Sequence, residues 1–369
     1  MWQARCLRFI DVRLVCIIFL LMVVSLIVIS SYTLDGTSTV VRSQMQWFIL
    51  GWCVFFFFVG FDYNKLREWA WVVYGFSIMA LVGLFFTDSV QQVHRWYKVP
   101  LFHCSFQPSE YAKMATVIAL SWFLERRAGA SKNFFTALGG IVIALIPFVL
   151  ILKQPDLGTA LVLYPIVLVM FYFGNVHPFV VKSLVGVGIL GLLCVFIIFS
   201  GILSHEKGRP YFCTFLKEYQ YERLNPNTHH QKAAVTAIAI GGATGVGYKE
   251  SEYANGGSLP FPYTDSAFSA FGEEFGFIGL LFLLLIFYSL IYCSFQVTAV
   301  AKDAFGKLLA AGIGVFIAVH VCVNIGMMSG CLPITGVPLI LVSYGGSSVI
   351  CTMAALGILQ SIYSRRFMF

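Results

Sequence analysis

Polar and apolar positions along this chain alternate in long blocks, not with the short periods of a half-buried strand or a soluble helix. Near-continuous apolar runs lie at 12–31, 45–61, 68–86, 110–125, 137–152, 157–173, 179–201, 270–296, 307–329 and 337–361. A bilayer core of about 30 Å is crossed by about twenty apolar helical residues. The pattern therefore predicts an all-α polytopic membrane protein of about ten transmembrane helices, the fourth and sixth short. The first run lacks a small-residue cleavage site and reads as a retained span. Only 202–269, between the seventh and eighth spans, is polar over a long stretch, and it predicts a structured cap.

Composition supports the lipid reading. Of 369 residues, 59% are hydrophobic and 11% charged, with a mean hydropathy of +0.84, whereas a soluble domain carries about 25% charged residues. The net charge is +7, but no Lys/Arg tract has the density of a nucleic-acid arm. The cations instead set orientation. With a cytoplasmic N-terminus, thirteen Lys and Arg fall on short inside segments, among them Arg5, Arg8, Arg126, Arg127, Arg365 and Arg366, and five (Arg42, Arg95, Lys98, Lys113, Lys153) fall outside. Positive residues gather on the cytoplasmic side, so both termini are expected inside and 202–269 outside. An enzyme acting there has no ATP and needs a substrate carrying its own activated bond. The ten cysteines form no CxxC pair and read as small apolar residues; no disulfide is expected.

Charged residues beside apolar runs are costly and point to function. In "FQPSEYAK", Pro108 and Ser109 open a helix, and Glu110 and Lys113 share a face. They form either a structural ion pair or a charged cavity wall, with Lys113 free to meet an anion. In "KQPDLGTA", Pro155 breaks the helix and Gly158 permits close backbone approach, so Lys153 and Asp156 sit on a bent turn. In "YTDSAFSAFGEEFG", Thr264 is a cap candidate and Asp265 falls in the first helical turn, where the dipole favours negative charge. Asp265 either satisfies the helix terminus or serves as an exposed base, with Glu273 and Glu274 supporting it. Ser343 and Tyr344, in a stretch interrupted by Pro333, Gly336, Pro338, Gly345 and Gly346, suggest irregular backbone lining a polar cavity. Two signals are discounted. "GGATGVGYK" has Tyr248 where a phosphate-binding loop needs Lys, so no nucleotide is expected. His229 and His230 lack partners at metal-ligand spacing and read as a solvated loop.

Together these motifs, with "MQWFILGW", "FDYNKL", "LKEYQYERL", "NIGMMSGCLPITGVPL" and "SYGGSS", make the chain similar to the SEDS family (shape, elongation, division and sporulation). The resemblance runs over nearly the whole chain, so 1–369 is expected to be a single membrane domain. It is nearer the elongation subfamily, RodA, than the division subfamily, FtsW. The resemblance implies a peptidoglycan glycosyltransferase that polymerises lipid II on the outer face of the bacterial inner membrane. It implies a class B penicillin-binding protein as partner and an MreB-type cytoskeleton on the other side. Asp265 matches the family's essential aspartate, and Glu110 and Lys113 match its Glu–Lys pair. Lys113, Arg95, Lys153 and Arg223 become candidates to hold the departing pyrophosphate, with a divalent cation (Mg or Mn) admitted there. The chain departs from the family pattern at Tyr263, at Ser266, where Phe is usual, and at Ile340. Two rival readings remain: a lipid II flippase, and a scaffold without catalysis.

Overall fold

The structure is a computed structural model and describes residues 9–32, 39–86, 96–99, 104–200, 202, 209–210 and 218–366. Ten long helices form the bundle among these residues. They are α1 (Val12–Ser31), α2 (Thr39–Gly60), α3 (Asn64–Gly83), α4 (Pro108–Arg126), α5 (Phe134–Lys153), α6 (Leu157–Phe173) and α7 (Pro178–Phe199), followed by the three that close the chain. Three shorter helices cap one end: α8 (Glu218–Glu222), α9 (His229–Gly241) and α10 (Glu252–Asn255). The last long helices are α11 (Ala267–Val300), α12 (Ala304–Met328) and α13 (Gly346–Ser364). Eight of the ten are long and apolar enough to cross a membrane. The other two are α6, which has 17 residues, and α4, which carries Glu110 and Lys113 and is mostly buried among its neighbours. One departure from an all-helical chain is a hairpin ahead of α4, where β1 (Tyr97–Val99) pairs antiparallel with β2 (Cys104–Phe106), Tyr97 opposite Phe106.

Each helix follows the chemistry of its own ends. Asp11 caps α1, Asn133 caps α5 and Asp303 caps α12, each accepting a backbone N–H. Near the chain termini, Arg67 bridges Glu125 at 3.0 Å and Asp303 at 2.6 Å, tying α3 to α4 and α12. There too the Asp11 N–H donates to Gln360 Oε1 at 3.1 Å, so α1 and α13 end together. The core runs through α4, α12 and α13. By contrast α7 buries only Val180 and Ile198, leaving an apolar surface suited to lipid.

Two elements differ from expectation. The last span does not start at 337. Segment 329–345 runs as irregular chain, with Gly336 at φ 77° and Leu341 at φ 60°, and the helix begins at Gly346. Pro333 and Pro338 deny it helical hydrogen bonds, and side chains take over: Ser25 Oγ donates to Val342 O at 2.7 Å. Secondly, α11 is broken at Gly276, whose φ of 62° and ψ of −164° are not helical. The glycine-rich turn after α9 is spliced into the break. Val246 and Gly247 N–H donate to the carbonyls of Glu273 and Glu274 at 3.0 and 3.1 Å. Phe277 and Ile278 N–H donate in turn to Gly242 and Ala243 carbonyls at 2.9 and 3.1 Å. An interrupted helix in a membrane must have its backbone re-satisfied by protein, and "GGATGVG" does this. A Cβ on Gly245 would stand 2.0 Å from the Glu274 carbonyl oxygen, which explains the small residues.

Candidate active site

A cavity of about 730 Å³ opens at the end of the bundle opposite the termini. Its wall is built mainly from helix beginnings. Gln107 comes from the start of α4, Asp156 and Thr159 from α6, Thr228 and His230 from α9, Thr264 and Asp265 from the turn into α11, and Gly345, Gly346, Ser347 and Ser348 from α13. Trp47, Trp96, Glu110, Glu222, Arg223, Phe261, Ile334, Thr335, Gly336, Pro338 and Tyr344 complete it. The first N–H groups of a helix have no intrahelical acceptor and carry a partial positive charge. Five helix beginnings border this one space, an arrangement that suits an anion. Among the described residues, Arg223 is the one Lys or Arg lining the cavity.

Asp265 sits half-exposed on this wall. It does not lie in the first turn of α11, and Thr264 is not the cap: the helix starts at Ala267, with Ser266 at the cap position. Residues 261–266 instead form a tight turn around the Phe261 carbonyl, which accepts from the N–H of Thr264 and of Ser266 at 3.2 Å each. Three successive carbonyls of the turn are then clamped. Tyr344 N–H donates to Tyr263 O at 2.8 Å, Ser343 Oγ to Thr264 O at 2.6 Å, and Asn324 Nδ2 to Asp265 O at 3.0 Å. The backbone of Asp265 is thereby fixed while its carboxylate faces the cavity. Gly336 stands beside it: a methyl group there would be 3.6 Å from Asp265 Oδ2.

Other expected residues distribute as follows. Glu110 lines the cavity. Lys113, one turn deeper, is fully buried below it, with Nζ 2.8 Å from Glu110 Oε1 and 2.7 Å from His320 Nε2. It is engaged in the bundle and does not face the cavity as a loose cation. Asp156 lines the cavity and caps α6, accepting from Thr159 N–H at 3.4 Å and from Gln107 Nε2 at 3.2 Å. Close approach at Gly158 is real: a Cβ there would meet Thr335 O at 2.6 Å. Arg223 donates to that same carbonyl at 3.3 Å. Tyr344 lines the wall, and Ser343 acts behind it through Thr264.

Three described residues, Lys153, Glu273 and Glu274, are not brought together with these. Arg95 lies outside the described residues. Lys153 is exposed beyond the cavity wall. Glu273 and Glu274 lie at the break in α11, where Glu273 Oε1 accepts from Tyr253 N–H at 3.1 Å and Glu274 Oε1 from Ser31 Oγ and from Lys249 N–H. An α-helix rises about 1.5 Å per residue, so Glu273 stands about 9 Å along α11 from its first residue, Ala267.

Sequence reasoning missed three side chains. His320 is a lone titratable residue in an apolar run, which is itself a signal. Asn324 needs tertiary contacts to be noticed. His230, read as a solvated loop residue, lines the cavity, and burial, then the neighbouring His229, holds its imidazole below the usual histidine range. Among the described residues no three His, Cys, Asp or Glu side chains converge on a point that could hold a metal ion.

The chain can now be compared with known proteins. The family model described as cell cycle protein, FtsW/RodA/SpoVE, matches residues 5–366. Stage V sporulation protein E of Bacillus subtilis is 31% identical over 96% of this chain and 98% of its own length. Peptidoglycan glycosyltransferase MrdB of Escherichia coli is 33% identical over 81% of this chain and 79% of its own. A solved chain from work on the structural coordination of polymerization and crosslinking by a peptidoglycan synthase complex superposes with a TM-score of 0.76 at 25% identity, covering 98% of this chain and 99% of that one. Crystalline Thermus thermophilus RodA gives 0.72 at 23% identity, covering 98% of each chain. With the helical bundle, the family match and these relatives agreeing, the chain belongs to the FtsW/RodA/SpoVE family of multi-pass membrane proteins.

Proposed function

We propose that this protein is a peptidoglycan glycosyltransferase, polymerising lipid II at the outer face of the bacterial inner membrane with both termini in the cytoplasm. The names of its MrdB and RodA relatives support the reaction class. The observation that carries the mechanism is the carboxylate of Asp265 on a cavity wall made of helix beginnings.

The reaction follows from these parts. Asp265 takes the proton from the acceptor sugar's 4-hydroxyl as that oxygen attacks the donor's anomeric carbon. The bond from that carbon to the pyrophosphate breaks, and the leaving group departs with the electron pair. Its developing charge meets the helix N-termini and Arg223, fixed donors that need no reorganisation during the step. Glu110, paired with Lys113, keeps a defined carboxylate on the wall. The donor set suits an ion arriving with the pyrophosphate, since magnesium takes one or two carboxylates when phosphates supply the rest. Glu222, the exposed carboxylate of the wall, would hold it, and the ion would supply charge neutralisation. A class B penicillin-binding protein is the expected partner, because one similar structure comes from a polymerising and crosslinking complex. An MreB-type cytoskeleton would meet the opposite end.

The test is polymerisation of labelled lipid II by the protein with its class B partner, transpeptidation blocked. A general base contributes typically 10²–10⁴-fold, and Asp265→Asn is expected to lose that much while still folding and binding its partner. Equal polymer from both proteins removes Asp265 as the base. Wild type that moves lipid II across vesicles but makes no polymer supports a flippase instead.

A further inference from the structure

One contact beside Asp265 has no part in the mechanism so far. Ser266, the residue at which the chain departs from the family pattern, is fully buried. Its Oγ lies 2.7 Å from the Pro260 carbonyl oxygen and 2.8 Å from His230 Nε2. A carbonyl only accepts, so the serine proton points to Pro260. The serine oxygen must then accept from the imidazole, and His230 carries its proton on Nε2. The hydrogen bonds run in one direction, from His230 to Ser266 to Pro260.

This chain closes the turn on the side that the other clamps leave open. The carbonyls of Tyr263, Thr264 and Asp265 are held by Tyr344, Ser343 and Asn324, all from α12 and the segment after it. His230 comes from the first turn of α9. That helix is fastened to α11 at its far end as well, where residues 242–247 are spliced into the break at Gly276. So α9 lies along the first part of α11, fixed at both ends, and the His230 end abuts the residue next to the base.

We infer that His230 is a positioning residue for Asp265, acting through the hydroxyl of Ser266 to hold the 260–266 turn in register with α9. The inference rests on Asp265 being the base. Its effect falls on the reaction step and not on substrate affinity, because His230 and Ser266 fix a carboxylate whose placement matters only as the proton moves. Misplacement of about 1 Å can cost up to 10²-fold.

The experiment uses the full protein with its class B partner. Polymerisation kinetics are measured for wild type, His230→Ala, Ser266→Ala, the double variant, His230→Gln and Ser266→Thr. Hydrogen exchange of peptides spanning 261–268 is followed by mass spectrometry in the same samples. Each alanine variant is expected to lower kcat about tenfold with KM unchanged. The double variant should fall no further than the lower single. Gln keeps an N–H donor and Thr keeps the hydroxyl, so both should recover most of the rate. Exchange at 261–268 should rise in the alanine variants and stay near wild type in the conservative ones, with the rest of the chain unchanged. Independent, multiplying losses overturn the proposal, and so does a fall in kcat with no change in exchange. If the wild type makes no polymer, the glycosyltransferase reading has failed on its own. Exchange then decides: faster exchange at 261–268 in the alanine variants supports the contact, and unchanged exchange overturns it.

Discussion

The ammonium nitrogen of Lys113 lies 2.7 Å from Nε2 of His320, two residues 207 positions apart in the chain and both buried in the bundle. His320 Nδ1 faces the Phe316 carbonyl at 2.8 Å, so the proton of the neutral ring sits there and Nε2 offers a lone pair. The lysine is therefore held between a carboxylate, Glu110, and a neutral acceptor. Glu110 reaches the cavity, and Lys113 and His320 lie below it in the bundle.

Removing that acceptor should be felt in stability and in rate. A hydrogen bond to a charged group contributes about 1.5–3 kcal/mol. His320→Leu is expected to lose about that much and to slow polymerisation by loosening Glu110. His320→Gln, which keeps an acceptor, should recover most of both. Thermal unfolding in detergent, together with the polymerisation assay, measures this. A fully stable and active His320→Leu would mean that Lys113 needs only Glu110.

The splice at Gly276 gives a second expectation. A Cβ on Gly276 would meet the Gly245 nitrogen at 2.3 Å, and the φ of 62° is itself unfavourable for a side chain. With ψ at −164° this backbone lies in a region essentially reserved for glycine, which alone costs about 1–3 kcal/mol for another residue, and the backbone contact adds to it. Gly276→Ala and Gly245→Ala should therefore unfold well below wild type. Gly191→Ala on α7 has nothing within 4 Å of its new methyl and should leave the unfolding temperature unchanged or raised. Similar behaviour in all three variants would contradict the splice.

How far the sequence carried the fold depended on whether a feature was local. The ten spans were legible because lipid demands a run of apolar residues that any stretch reveals by itself. The start of α13 was legible only in part: Pro338 and the glycines mark irregular backbone, but 337–345 is as apolar as a helix, and its hydrogen bonds to the Tyr263 and Thr264 carbonyls leave no local trace. Tyr248 set the glycines of 241–247 apart from a phosphate-binding loop, but their use at Gly276 is a tertiary relation with no local trace. In the site, Asp265, Glu110, Asp156 and Tyr344 stood out as polar residues beside apolar runs and Arg223 entered through the family resemblance, and the cavity gathers them. Glu273 and Glu274 misled because nearness in sequence becomes distance along a helix. His230 and Asn324 were passed over because their partners lie 36 and 59 residues away.

Acid should weaken the cap through His230. Burial and His229 hold its imidazole below the ordinary value of 6.5. The folded protein then binds fewer protons than the unfolded chain between the two values, so stability falls as pH drops through 6.5 and is unaffected above it. One such group contributes a slope of at most about 1.4 kcal/mol per pH unit. Unfolding temperatures taken between about pH 5 and pH 8 should fall on the acid side, and the fall should be smaller in His230→Gln. A constant difference between the two proteins across that range would remove His230 as the responsible group.

Asn324 joins three parts of the site. Its Nδ2 donates to Asp265 O at 3.0 Å and to Val337 O at 2.8 Å, so α12 holds the turn bearing Asp265 and the segment bearing Gly336 in one register. Asn324→Leu keeps the volume but leaves two carbonyls without this donor, and each such loss costs about 1–3 kcal/mol in a buried place. Asn324→Asp keeps the shape but faces the same carbonyls with a carboxylate, replacing attraction by repulsion. The expected order of activity is wild type, then Leu, then Asp, with KM altered far less than kcat because in the proposed mechanism the pyrophosphate would still meet the helix N-termini and Arg223. Lipid II titrations at fixed enzyme separate the two constants. A rise in KM at constant kcat would mean that Asn324 shapes the substrate's seat and does not hold the base.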